Sequence, residues 1–244
     1  MTFRAFRPPA FAALLLAAML AAAARADGWS PLGFSLASME TAPELRYSPD
    51  RPWDFSLPSY GTAIYGVRLG LFSAANRNMY GLSVSLTNMR HYWSGDNNPV
   101  RFHPDGDVAG IQVGGFFNCA SSSRYGALQA AGFANVILDG GAAFQVAAVN
   151  QVDGDMSGVQ LGLFNYVEDT MSGVQLGALN YAARASGVQL GAINIADRAF
   201  SGVQIGAINL VSSQKSEFSG VQLGALNSWN ASSAPSLLLL RIYF

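Results

Sequence analysis

The sequence predicts an all-β fold, an antiparallel meander of about twelve strands closed into an outer-membrane β-barrel. Three observations carry this expectation. A short unit recurs along most of the chain and alternates with period two, the mark of strands. Charged residues fall between the units. The last residues, Leu237-Leu238-Leu239-Leu240-Arg241-Ile242-Tyr243-Phe244, place Leu238, Leu240, Ile242 and Phe244 on one face and Arg241 and Tyr243 on the other.

Composition narrows the function classes. The chain has 244 residues, 50% hydrophobic and 12% charged, with a formal charge of −1. That length supports one large domain or two small ones. Without a basic field, no nucleic-acid partner is expected. A single cysteine, Cys119, excludes an intramolecular disulfide framework, and two histidines leave little room for a zinc site.

The N-terminus reads as a secretory signal over residues 1–26. Arg4 and Arg7 form the positive region, Phe11 to Ala24 the apolar stretch, and Ala24-Arg25-Ala26 the cleavage site, giving a mature start at Asp27. The apolar stretch falls short of the roughly 20 residues a membrane helix needs. Removing the leader's three arginines leaves 11 basic against 15 acidic residues, a net charge of −4. Residues 27–244 then form one repeat-built β domain.

A first strand is expected at about Trp29–Ser38. A proline-rich loop (Pro43, Pro49, Pro52, Pro58) follows over 39–62, where a further strand could also lie. The repeat occupies 64–229. Its strongest copies are Ser157-Gly158-Val159-Gln160-Leu161-Gly162 and the same letters at 172–177, 186–191, 201–206 (with Ile205) and 219–224. Each leads to an asparagine: Asn165, Asn180, Asn194, Asn209 and Asn227. Their glutamines are 15, 14, 15 and 18 residues apart. Looser copies include Gly66-Val67-Arg68-Leu69-Gly70, Gly81 to Asn88, Gly110 to Asn118, Gly126 to Asn135 and Ala143 to Asn150. An insert with Gly95, Pro99 and Pro104 spans 94–107, and residues 236–244 form the closing strand.

Two tilings fit this unit. As an antiparallel barrel, Val159, Leu161 and Leu163 face lipid, and pairing 157–166 with 172–181 sets Gln160 opposite Gly177. Strict alternation then puts Asn165 on the lipid side and Gln160 on the inner side. One strand from 29–38, ten repeats and the closing strand give an even count, with the long loops on one side. The alternative is a parallel β-solenoid of 14–15-residue coils, where Gln and Asn would form hydrogen-bonded ladders. Variable turn length and apolar residues on both strand faces weigh against it.

The closing strand resembles that of bacterial outer-membrane barrels, which implies recognition by the barrel assembly machinery through Phe244. The tandem Gly-Val-Gln-[Leu/Ile]-Gly-x-x-Asn units resemble the spirochaete-type surface repeat proteins. That resemblance implies a cell outer-membrane location, or alternatively the surface or periplasm, and transfers no functional residue. The function expected is structural, surface-exposed or small-pore, with outer-membrane lipid as partner and no ligand legible; the alternative is an exported β-solenoid surface or adhesion protein without a membrane span.

No catalytic, cofactor or metal residue is proposed from the sequence. The Gln and Asn positions read as amides satisfying one another inside a sheet in preference to a glycan or ion track. Asp105-Gly106-Asp107 and Asp153-Gly154-Asp155 lack calcium-loop spacing and read as turns. His91-Tyr92-Trp93, with Tyr65, Tyr80 and Trp229, reads as an interfacial aromatic belt. Cys119 reads as a small buried hydrophobe. Ser121-Ser122-Ser123 has no histidine and acid at telling spacing, and an enzyme would have only His91 and His103 to draw on.

Overall fold

The computed structural model describes residues 29–41, 54–57, 63–74, 78–93, 101–212, 217–229 and 240–243. The signal segment and Phe244 lie outside them. The strands are β1 (Trp29–Thr41), β2 (Asp54–Leu57), β3 (Ala63–Gly70), β4 (Met79–Trp93), β5 (Arg101–Ala131), β6 (Ala134–Ile137), β7 (Gly141–Val146) and β8 (Val149–Val152). They continue as β9 (Met156–Leu161), β10 (Phe164–Leu176), β11 (Leu179–Leu190), β12 (Ile193–Ile205), β13 (Ile208–Val211), β14 (Glu217–Leu223), β15 (Leu226–Trp229) and β16 (Leu240–Tyr243).

The repeat strands pair in parallel, like residue over like residue. Gln160 lies beside Gln175, Gln175 beside Gln189, and Asn165 beside Asn180. The fold is therefore a parallel β-solenoid of about nine coils. This corrects the antiparallel barrel of twelve strands and upholds the solenoid alternative. Stacked in register, each glutamine of the repeat motif from Gln160 to Gln222 meets an amide. In the antiparallel register each would lie over a glycine and lose that partner.

One coil holds a long strand, a two-residue corner and a short strand. Met156–Leu161 runs to the corner at Gly162-Leu163, and Phe164–Val167 returns from it. The corner reverses the alternation, so Gln160 and Asn165 are both fully buried. The expected placement of Asn165 on the outer face is thus overturned. A bend within β10, at 168–170, carries the charge and leads into the next coil. Differences in coil length are absorbed there, as register shifts between Val167 and Thr170 and between Ala182 and Arg184. Variable turn length is consequently no obstacle to stacking.

The interior divides in two. Beside the charged turns lies an apolar column of Met156, Met171, Ala185, Phe200 and Phe218, faced by Val152, Val167, Ala182, Ala196 and Val211. Beside the corner lie the amides. Phe200 and Phe218 stack at 6.0 Å between ring centroids.

The ends depart from the repeat. β1 reaches past the expected Ser38 and pairs with both β2 and β3, and β2 is the further strand allowed for in 39–62. Met79 to Asn88 advances in step with Val108 to Asn118, whereas Met89–Tyr92 pairs in the reverse sense with Pro104–Arg101. β16 lies antiparallel on β14, with Arg241 opposite Gln222. No pairing joins it to β1 among the described residues, so the expected closing strand closes no barrel.

Candidate functional site: amide columns within, apolar faces without

The glutamine column begins at Gln112. Gln129, Gln145, Gln160, Gln175, Gln189, Gln204 and Gln222 each donate from Nε2 to Oε1 of the glutamine one coil earlier, at 2.7–2.9 Å. The asparagine column runs the other way. Asn88, Asn118, Asn135, Asn150, Asn165, Asn180, Asn194 and Asn209 each donate from Nδ2 to Oδ1 of the asparagine one coil later, at 2.6–3.0 Å. Both columns are buried. Full pairing is what makes such burial tolerable, because an unpaired buried amide costs about 1–3 kcal/mol.

The remaining letters of the motif serve this stacking. Asn165 Nδ2 also donates to Leu176 O at 2.9 Å, bracing the corner. A Cβ at Gly177 would stand 2.6 Å from that Nδ2, so the second glycine makes room for the amide. The first glycine answers a backbone demand. Gly173 has φ +138°, and a Cβ there would lie 2.0 Å from Gly158 O. These constraints were invisible in the sequence until the strands were known to stack in parallel.

At the N-terminal end Arg68 and Ser83 replace glutamine. Arg68 donates to Ser83 Oγ at 2.8 Å and to Asn88 Oδ1 at 3.1 Å. At the C-terminal end Gln222 Oε1 is buried without a hydrogen-bond partner among the described residues.

The outside is apolar on three sides. Val159, Val174, Val188, Val203 and Val221 form a column on the long-strand face that continues to Ile242. Beside it run Leu161, Leu176, Leu190, Ile205, Leu223 and Leu240, the last 52% exposed. The short-strand face presents Phe164, Leu179, Ile193, Ile208 and Leu226. At the corner, Phe72, Leu86, Phe116, Phe133 and Leu163 are all exposed. Among residues with described side chains, every ionised group except buried Arg68 lies at the edge formed by the long turns.

That edge carries an open groove of about 510 Å³, lined among others by Arg124, Asp139, Asp155, Ser157, Thr170 and Ser172, with neither histidine nor cysteine among the described residues that line it. The aspartates singled out in the sequence act locally. Asp155 Oδ1 accepts from the Thr170 amide at 2.9 Å, Asp153 Oδ1 accepts from Gln151 Nε2 at 2.7 Å, and Asp107 accepts from Ser122 Oγ. Cys119 is buried. Among the described residues no group of three or more His, Cys, Asp or Glu could hold a metal ion. His91 and Tyr92 sit in the β4–β5 reverse pairing, with His103 opposite Arg90, and His91-Tyr92-Trp93 pairs with Met39–Thr41 of β1.

No protein-family model matches the chain, and comparison with curated proteins and with solved structures returns no match.

Proposed function

We propose that the chain is an exported β-solenoid of the bacterial surface or periplasm, a structural or adhesive module without catalysis. The observation that carries this reading is the pair of amide columns. The repeat's recurring polar letters, glutamine and asparagine, serve to stack one coil upon the next, leaving a scaffold with a repeated outer face. The leader expected at 1–26 and the resemblance of the unit to surface repeats support this location. No helix among the described residues is long and apolar enough to cross a membrane, and the strands are used in stacking.

The test is to sequence the N-terminus of the protein from its native cells and to probe intact cells with protease and antibody. A chain starting at Asp27 in the cell envelope is expected, with surface exposure distinguishing the adhesive from the periplasmic placement. A full-length chain retaining Met1 in the cytosol overturns the reading.

A further inference from the structure

We propose that the solenoid lies in the surface of a lipid bilayer, with its corner and adjoining faces immersed in one leaflet and its charged edge in water. The inference goes beyond export, because it concerns the outer faces of the folded chain and is tested on purified protein.

The distribution of side chains is that of a wedge. Both faces and the corner between them are apolar, whereas ionised groups gather at the opposite edge. From Val159 to Gly162 the apolar part of the long strand is about 10 Å deep at about 3.3 Å per residue. Interfacial elements bury their apolar faces about 5–10 Å into the headgroup and acyl boundary. The backbone in this zone is already paired within the sheet, as a non-aqueous setting requires.

Aromatic residues mark the waterline on both faces. Tyr65 is 52% exposed, stacks on Tyr80 at 4.7 Å and meets the Trp29 ring edge-on at 6.2 Å. Across the wedge, Tyr166 and Tyr181 stack at 5.0 Å. These rings stand between the apolar columns and the charged edge, the level that Trp and Tyr favour at membrane interfaces.

A second copy docked by flat face to flat face would cover one of the three apolar surfaces and leave the corner and the other face in water. A leaflet covers all three together. The exposed bulk of Phe72, Phe116, Phe133 and Leu163 at the corner favours the leaflet.

The experiment is flotation of the purified chain with phosphatidylcholine–phosphatidylglycerol vesicles on a density gradient in high salt, with sedimentation velocity of the free protein. Wild type is expected to float. Phe133→Glu combined with Leu163→Glu should lower the floated fraction about tenfold or more. Glu168→Gln combined with Asp197→Asn, at the charged edge, should leave it unchanged. Circular dichroism checks that each variant is folded. A wild-type chain that stays at the bottom as a monomer overturns the proposal. So does one that stays there as a dimer, which would assign the faces to a second copy. Equal flotation of the corner variant also overturns it.

Discussion

Arg68 donates from Nη2 to Asn88 Oδ1 at 3.1 Å, so a buried guanidinium caps the acceptor end of the asparagine column. It stands where later coils carry glutamine, and its Nε also holds Ser83 Oγ. Arg68→Met removes both bonds while keeping the apolar stem. The expected cost is about 1–3 kcal/mol, read by chemical denaturation. It should be accompanied by faster amide exchange over β3 and β4 and little change beyond β9.

The middle of the glutamine column makes a sharper test. Gln175 donates to Gln160 and accepts from Gln189. Gln175→Met strands Gln160 Oε1 on one side and leaves Gln189 Nε2 only its longer bond to Ile195 O, at 3.4 Å, on the other. A loss of about 1–3 kcal/mol is expected from the unsatisfied Gln160 oxygen. Hydrogen exchange should show it as a local opening centred on β9 to β11, since coils contact only their neighbours.

Gly173→Ala tests the backbone demand. The added Cβ would collide with Gly158 O at a positive φ. Strain and collision together should cost about 2 kcal/mol or more, measured as a fall in the unfolding midpoint. Ala178→Gly, at an exposed corner position, should cost less than half of that.

Alkaline titration gives a fourth prediction. Burial first, then the Asp197 carboxylate and Tyr166, hold the Tyr181 hydroxyl above the ordinary tyrosine value of 10.0. Burial and then Tyr65 raise Tyr80 likewise. The folded state therefore resists ionisation of these rings. Their contribution is intact below about pH 10 and is lost as pH rises through the raised folded values. Thermal midpoints should fall above about pH 10, and Tyr181→Phe should make that fall shallower.

Much of the fold could be read from the residues. The all-β class, the repeat, the charged turns and the amides pairing inside the sheet all follow from alternation and from where charge is absent. The strand sense did not follow, because one unit tiles a sheet in both directions. Nor did the facing of Asn165 relative to Gln160, since two-residue corners at Gly162 and Gly177 reset the alternation and nothing in a Gly-Leu or Gly-Ala pair distinguishes a bend from continued strand. The apolar character of both strand faces was legible, yet it counted for a barrel until the parallel register placed both faces outside.

The opposed directions of the two amide columns bear on how long such a protein can grow. Amide dipoles aligned head to tail add, as they do along a helix. Here the glutamine dipoles point one way and the asparagine dipoles the other, side by side, so their fields largely cancel at each coil. Adding a coil lengthens both rows equally and builds up no electrical pole at either end. Coil number is thereby released from an electrostatic limit, and a repeat of this kind can be duplicated or lost without charge compensation elsewhere in the chain.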